Sequence, residues 1–497
     1  MTPSTQSLWS THDPRPTNPL DADLDADVAI IGAGITGLTA ALKLAEAGKT
    51  VVVLEARMIG SGVTGGTSAH VTEAVDARYK DLSKHFGVDG ARLVAQSSRA
   101  ALEHIASRVA ALDIACDLQR VSGYLYTEDA SKRDELVAEH AAATEAGLNV
   151  ELDALVGVPF AIAGSIRFAD QLRFLPLDYV RGLAGALAER GVRVHEQTRV
   201  TKIEEGEAVV LTTEGGWTVR ARSVFCATHT PLNLVRIHTK LSHEQSYVMA
   251  FAAPAGVEDA LLWDTADPYH YTRLAVVDGK QWLIVGGEDH ATGEEEHPAS
   301  AFERLGAYAR EKYGVTDEGY RWSAQVVSSV DGLPFIGRNG GSKNVYIATG
   351  FGGNGLTFGT ISALLVSDLV LGIDNPWTAL YHTTRLKLSA LGDIVKAQAH
   401  VPAHLLGHTD VKLPSEIAIG QGAVLKQDGK HLAVYRDAEG TLHGVSARCT
   451  HAGCMVAFND AERSWDCPCH GSRFATDGSI LEGPAVVQLE CHHVRDE

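Results

Sequence analysis

The chain has 497 residues, 45% of them hydrophobic and 21% charged, with a formal net charge of −19 at pH 7. That length exceeds what one core organises and predicts roughly three or four domains of ordinary globular composition. The acidic balance excludes a nucleic-acid binder, which needs clustered Lys and Arg, and no apolar run reaches the roughly eighteen residues of a membrane span.

Residues 1–26 are polar, Pro-rich and acidic and lack the apolar stretch of a secretory leader. Asp27–Ile31 reads as a short buried strand running into Gly32-Ala33-Gly34-Ile35-Thr36-Gly37. Leu38–Ala47 then carries a helical pattern stopped by Gly48, and Val51–Leu54 is a second strand ending at Glu55. Strand, Gly-x-Gly-x-x-Gly, helix, strand and acid in this order make a dinucleotide fingerprint in its required βαβ context. Gly32 permits the tight turn, Gly34 lets the backbone approach a pyrophosphate, and Gly37 lets helix and strand pack. The pyrophosphate rests on the free N–H groups of the first helical turn, at Ile35 and Thr36. Glu55 is expected to take ribose hydroxyls, with Ala56 and Arg57 beside it. Gly60–His70 is a Gly/Ser/Thr loop able to run along a long cofactor, which favours FAD over a nicotinamide dinucleotide.

With these residues the chain resembles the D-amino-acid oxidase and glycine oxidase superfamily of flavoenzymes. It is most similar to the branch containing γ-glutamylputrescine oxidoreductase, including Trp9 and the acidic lead-in before the first strand. The resemblance covers roughly residues 8–378. It implies, within residues 25–378, an α/β FAD-binding domain of Rossmann type (parts near 25–80, 170–235 and 325–375) interleaved with an α+β substrate domain (near 81–169 and 236–324). It also implies FAD contacts from Ser61, Gly62, Thr64 and Thr67, from the backbone near Val200, and from Ala227 and Thr228. Some members of the superfamily bind flavin covalently through a His in the glycine loop; that position falls on Gly66 here, so non-covalent FAD is expected. His70 stays near the ring without an assigned role.

Residues 89–146 read as two amphipathic helices around a strand-like stretch, Cys116–Thr127. Strands dominate from Leu241 to Trp322, where the resemblance puts the substrate cavity. Within Trp263–Arg273, Arg273 could hold a carboxylate bidentately or form an interdomain ion pair, and Tyr271 or His270 could orient an amine. Gly286-Gly287-Glu288-Asp289-His290 reads as structural rather than catalytic. Asp331–Gly337 and Val345–Thr357 carry the second FAD contact that the resemblance implies, through Asp331, Gly350, Phe351, Gly352, Gly353, Gly355, Leu356 and Thr357. There a glycine loop opens a helix through Ile361, Leu365 and Leu369, whose N-terminal amides favour negative charge on a reduced flavin. The loop lacks the strand–glycine–helix–strand–acid order of a second nucleotide site.

Residues 379–415 read as a linker with a helix over Thr384–Gln398, and 416–497 as a small all-β domain with turns at Asp428-Gly429, Glu439-Gly440 and Asp477-Gly478. It contains Cys449-Thr-His451 and Cys467-Pro-Cys-His470. Two thiolates and two imidazoles suit a tetrahedral zinc or a [2Fe–2S] cluster. Together with Gly471-Ser472 the two boxes resemble the Rieske family, in particular the high-potential branch of cytochrome bc and b6f complexes. That resemblance implies a [2Fe–2S] cluster with Cys449 and Cys467 on one iron and His451 and His470 on the other. It further implies a Cys454–Cys469 disulfide over the cluster and a hydrogen bond from Ser472 to a sulfur. Phe474 stands where high-potential members have Tyr, so the potential is expected below theirs, within the Rieske range of roughly −150 to +300 mV. The remaining Cys116, Cys226 and Cys491 form no secreted disulfide framework, and a cytoplasmic setting is expected.

The combined expectation is an FAD-dependent dehydrogenase or oxidase that oxidises a C–N bond of a small-molecule amine or amino acid by hydride transfer to flavin. Its electrons would pass to the cluster and then to an external one-electron acceptor or O2. The competing readings are an NAD(P)H- or carrier-fed flavin/Rieske reductase with inward electron flow, an O2-using amine oxidase with an auxiliary cluster, and a sensing or scaffolding module without turnover. The reductase reading needs a nicotinamide site, and the chain carries one nucleotide fingerprint.

Overall fold

A computed structural model describes residues 6–10, 17–232, 235–385, 404–405, 409–411 and 413–495. From residue 386 onward the helix expected over Thr384–Gln398 lies outside the described residues.

The first sheet is parallel at its centre, in the order Val345–Thr349, Thr218–Cys226, Leu24–Ile31, Val51–Leu54, Val194–His195. At their C-terminal ends, in Val28–Ile31, Val52–Leu54 and Val224–Cys226, the central strands are continuously apolar because both faces are covered there. Val28 and Ile30 point into one hydrophobic cluster, shared with the helices Ile35–Glu46 and Gly355–Leu371. Ala29 and Ile31 point into the other, with Leu232 and the partly buried Val486. Gly32 and Gly37 are fixed by packing. Gly32 has φ +107°, and a Cβ there would lie 2.5 Å from the Ala227 carbonyl oxygen, while a Cβ on Gly37 would overlap the carbonyl of Gly32.

The second sheet has nine strands, running from Glu318–Ser329 through Leu241–Ala252, Lys280–Ala291, His270–Val277, Leu261–Asp264, Gln119–Thr127 and Gly164–Arg173 to His70–Val71. Its segments alternate along the chain with those of the first, so the chain crosses between the two sheets repeatedly. Where two helices were expected to begin at residue 89, the first runs from Tyr79 to Ala111, with a non-helical break at Gly87. Thr218–Cys226 forms one continuous strand.

The C-terminal part is all β. Two four-stranded sheets, Gly422–Gln427 to Cys491–His492 and Ala457–Asn459 to Ile480–Glu482, enclose a core around Trp465 and Phe474. Among the described residues no helix is long and apolar enough to cross a membrane.

Candidate active site and cluster loops

A cavity of about 710 Å³ opens at the C-terminal ends of the parallel strands, where open α/β sheets hold their ligands. Gly32, Gly34, Ile35 and Thr36 line it, facing Glu55, Ala56 and Arg57, with Val200, Ala227 and Thr228 close by. Gly37 lies behind this wall and acts through packing. The helix Ile35–Glu46 has neither a side-chain cap nor an acid in its first turn. Apart from Ile35 N, which donates to Thr64 Oγ1 at 3.2 Å, its N-terminus therefore remains available to an anion. A Cβ on Gly34 would sit 2.8 Å from Thr64 Oγ1, so the glycine keeps the cradle open. Glu55 accepts from Ala33 N at 2.8 Å and Arg57 N at 2.9 Å, which ties both ends of the turn to it. A carboxylate has further acceptor capacity, which hydroxyls could use.

Gly62, Thr64, Gly66 and Thr67 continue the wall, whereas Ser61 points back to accept from Met58 N. Trp9 and Trp322 hold the loop from behind, donating to the carbonyls of Thr67 and Gly66 at 2.7 and 2.8 Å. His70 faces the cavity; burial, reinforced by the charge of Arg273, pushes its pKa down to about 3, so the imidazole is neutral. Across the cavity, Phe351, Gly352, Gly353, Gly355 and Leu356 present the N-terminus of the helix Gly355–Leu371. Asn354 leaves that helix uncapped, because its amide bonds Asp76 N and Ala74 O instead. Gly350 and Thr357 stand outside the wall, and the Thr357 hydroxyl donates to Thr72 O at 2.9 Å. Asp331 does not line the cavity: Arg385 grips it with Nε and Nη2, each at 2.7 Å. The open glycine turn and two uncapped helix N-termini suit a dinucleotide whose flavin reaches the second helix.

Of the candidate catalytic side chains, Tyr271 lines the cavity, its hydroxyl 3.0 Å from Ser246 Oγ. His270 and Arg273 do not. Strand alternation turns His270 to the opposite face, between Asp264 and Glu288 and stacked on Tyr308 at 3.8 Å. Arg273 shares the face of Tyr271 but lies deeper. It is 1% exposed, donates to Phe174 O and packs over the Trp9 ring at 5.1 Å. Three carboxylates that pattern reading did not single out occupy this part of the wall instead: Asp76, Glu244 and Asp289. Burial raises the pKa of all three, that of Asp289 to about 7. The available signal was Gly286-Gly287, since a glycine pair inside a strand marks a bulge or a close approach.

In the C-terminal domain the two Cys–His loops face each other and are joined by the Cys454–Cys469 disulfide, Cα–Cα 6.4 Å. Cys449 and Cys467 are free, buried thiols within hydrogen-bonding reach of each other. That contact, with a further hydrogen bond from the Ser472 hydroxyl, outweighs burial and draws the Cys449 thiol down to about 7. The His451 and His470 rings meet edge to face, 4.9 Å between centroids, and His451 Nδ1 is buried without a hydrogen-bond partner. Paired thiols, paired imidazoles and an unpaired ring nitrogen suit a Cys2His2 cluster.

These loops point at the rest of the chain. His238 packs its ring on His451 and His470 at 5.1 and 5.4 Å. Gln325, which lines the cavity, donates to the Gly471 carbonyl at 2.7 Å. Leu481, Glu482, Gly483, Ala485 and Val486 form part of the cavity wall itself.

The sequence profile of FAD dependent oxidoreductases (DAO) matches residues 27–369, and that of the Rieske [2Fe-2S] domain matches 408–493. YhfW of Bacillus subtilis (strain 168), whose name describes a Rieske 2Fe-2S iron-sulfur protein, is 32% identical over 98% of this chain and 97% of its own length. Gamma-glutamylputrescine oxidoreductase of Escherichia coli (strain K12) is 27% identical over 75% of this chain and 90% of its own. The glycine oxidase structure from Geobacillus kaustophilus shares the fold, with a TM-score of 0.59 and 20% identity over 73% of this chain and 99% of that one. The family binds FAD, and the Rieske domain binds a [2Fe–2S] cluster. The chain therefore belongs to the FAD dependent oxidoreductase (DAO) family, as a flavoenzyme acting on CH–NH donors with a Rieske domain fused behind it.

Proposed function

We propose that the protein is a dehydrogenase that oxidises the C–N bond of an amine or amino acid and delivers the electrons, through its Rieske domain, to an external acceptor. The observation that carries this reading is the continuous cavity wall, which begins at the nucleotide fingerprint and ends on residues of the C-terminal domain. Bound non-covalently, FAD supplies a two-electron acceptor, and the [2Fe–2S] cluster supplies a one-electron carrier beside it. A carbon bearing NH2 loses two electrons and two protons to become C=NH, which water hydrolyses to a carbonyl and ammonia.

The chain's own residues would divide the work by position. Gly32, Gly34, Ile35, Thr36, Glu55 and Thr228 would hold the adenosine and pyrophosphate end, with Gly352–Leu356 at the flavin. The amine must be a free base to lose hydride, so its proton has to leave before that step. Cys449, Cys467, His451 and His470 would hold the cluster, with Ser472 donating to a sulfur and raising its potential. Gln325 and His238 link that site to the cavity wall and to the chain leaving Thr228.

Anaerobic rapid mixing of the loaded protein with a panel of amines and amino acids tests the reading. Flavin bleaching followed by loss of the oxidised-cluster bands is expected. Rapid bleaching by NADH alone, with none by any nitrogen compound, would reverse the direction of flow.

A further inference from the structure

The stretch Gly286-Gly287-Glu288-Asp289-His290 is the most irregular part of the second sheet. Gln245 pairs with His290 and Tyr247 with Gly287, so Ser246 alone stands opposite two residues, Glu288 and Asp289. This is a β-bulge, a device that re-aims side chains. Glu288 takes the left-handed conformation, φ 58°. The two carboxylates are thereby sent to different places. Glu288 accepts from Arg304 Nε at 2.5 Å and lies 3.4 Å from His270 Nε2, away from the cavity. Asp289 enters the cavity beside Ser246, Tyr269 and Tyr271. The glycines make the arrangement possible: a Cβ on Gly286 would overlap the Tyr271 ring, and one on Gly287 would overlap the Tyr269 carbonyl.

The charge balance here is one-sided. Glu288 has Arg304, but among the described residues neither Asp289 nor Glu244 has a cationic nitrogen within 4.0 Å. Asp76 feels Arg78 at the cavity mouth and spends one oxygen on Gly353 N at 2.6 Å. Asp289 Oδ1 is shielded from solvent and has no hydrogen-bond partner. Gln325, 1% exposed on the same cavity, likewise has an unpartnered Oε1. Ser246 and Tyr269 hydrogen-bond Asp289, and Arg78 and Lys80 line the cavity elsewhere. Asp289 Oδ1 and Gln325 Oε1 nevertheless remain unfilled acceptors, and among the described residues no cation sits on Asp289 or Glu244. An ammonium group supplies three donors and a charge, whereas a ligand carboxylate would add a fourth anion. The amine being oxidised must be neutral when it reacts, so it cannot balance the wall. A second, non-reacting ammonium can.

We propose that the substrate is an aliphatic diamine or polyamine without a carboxylate, and that Asp289, backed by Glu244 and Asp76, holds its non-reacting ammonium group. This rests on the C–N oxidation proposed above and decides between its two substrate classes. Asp289 is here a specificity-determining residue whose position depends on the bulge.

The test uses the full-length protein loaded with both cofactors. Anaerobic flavin reduction is followed against 1,4-diaminobutane and 1,5-diaminopentane, the monoamine butylamine, and ornithine and lysine, which add a carboxylate to the same diamines. The diamines should half-saturate the reduction at concentrations at least tenfold below butylamine and below their amino-acid counterparts. Asp289→Asn should erase at least tenfold of the diamine-over-butylamine preference, Asp289→Glu should retain most of it, and Glu244→Gln should weaken it in the same sense. FAD content and the thermal midpoint report whether each variant is folded. Butylamine or the amino acids matching the diamines in the native protein would overturn the proposal while leaving C–N oxidation standing. So would a preference unchanged in both folded charge-neutralised variants. If no nitrogen compound bleaches a flavin that dithionite does bleach, the oxidation reading falls and takes this one with it.

Discussion

At the scale of single residues, the acids on the cavity wall make the site pH-dependent. Burial, with Glu244 and Asp76 nearby, raises the Asp289 carboxyl to about 7, and Ser246 and Tyr269 partly offset this by hydrogen bonding. A raised carboxyl is neutral below its folded pKa and ionised above it, so its hold on a cation is lost as pH falls through about 7. For stability the sign is reversed. Between the ordinary carboxylate range and about 7 the folded protein binds the extra proton, and stability declines with rising pH across that window. Aliphatic ammonium groups, near pKa 10, do not titrate there, and His70, near 3, stays neutral. The half-saturating concentration of a diamine relative to that of butylamine, which shares the same requirement for a free reacting amine, should therefore rise several-fold from pH 8 to pH 6. A flat profile would remove Asp289 from the binding step. At this scale the fingerprint residues were legible because a strand, a tight turn and a helix leave Gly32, Gly34 and Glu55 little freedom. Arg273 was misleading for the opposite reason. Alternation gives its face but not its depth, and Trp9, from the far end of the chain, fills the space in front of it.

At the scale of elements, the bulge opposite Ser246 and the glycines beside it form one device. Gly286→Ala would thrust a methyl group into the Tyr271 ring. Overpacking of this kind costs about 1–3 kcal/mol, visible as a lowered thermal midpoint. The displaced Tyr271 and Asp289 should slow flavin reduction at saturating substrate by about tenfold or more, with FAD still bound. An unaltered limiting rate would show that the strand accommodates the methyl elsewhere. The sequence reading took this stretch as structural, and Glu288, gripped by Arg304, serves the fold. That Asp289 faces the cavity follows from the register between strands Leu241–Ala252 and Lys280–Ala291, which no local pattern encodes. The Cys–His boxes were easier, because each ligand loop is short and carries its chemistry within a few residues.

At the scale of the whole molecule, the Rieske domain completes the cavity wall and turns its two histidines toward the flavin-binding unit. This docking was not legible in sequence, because its surfaces come from His238, His243, Gly293, Gln325 and the cluster loops, which are distant along the chain. Gly293 has φ +74°, and a Cβ there would lie 2.9 Å from Asp466 O and 3.0 Å from Pro468 N. Gly293→Val should wedge the domain outward. Substrate should then bleach the flavin at a near-native rate while cluster reduction slows at least tenfold, as read by its visible bands after anaerobic mixing. Equal rates for both steps would show that electrons leave by another route. The inward orientation also bears on how the protein is assembled. Cys449, Cys467 and His470 are all buried, and His238, His243 and Gln325 close over the loop that carries His470. An iron–sulfur donor protein could not reach them in this arrangement. If these residues take the cluster as proposed, maturation has an order: the C-terminal domain must receive its iron and sulfide while still apart from the flavin unit, and docking then covers the His470 side and leaves the half-buried His451 as the side nearest solvent.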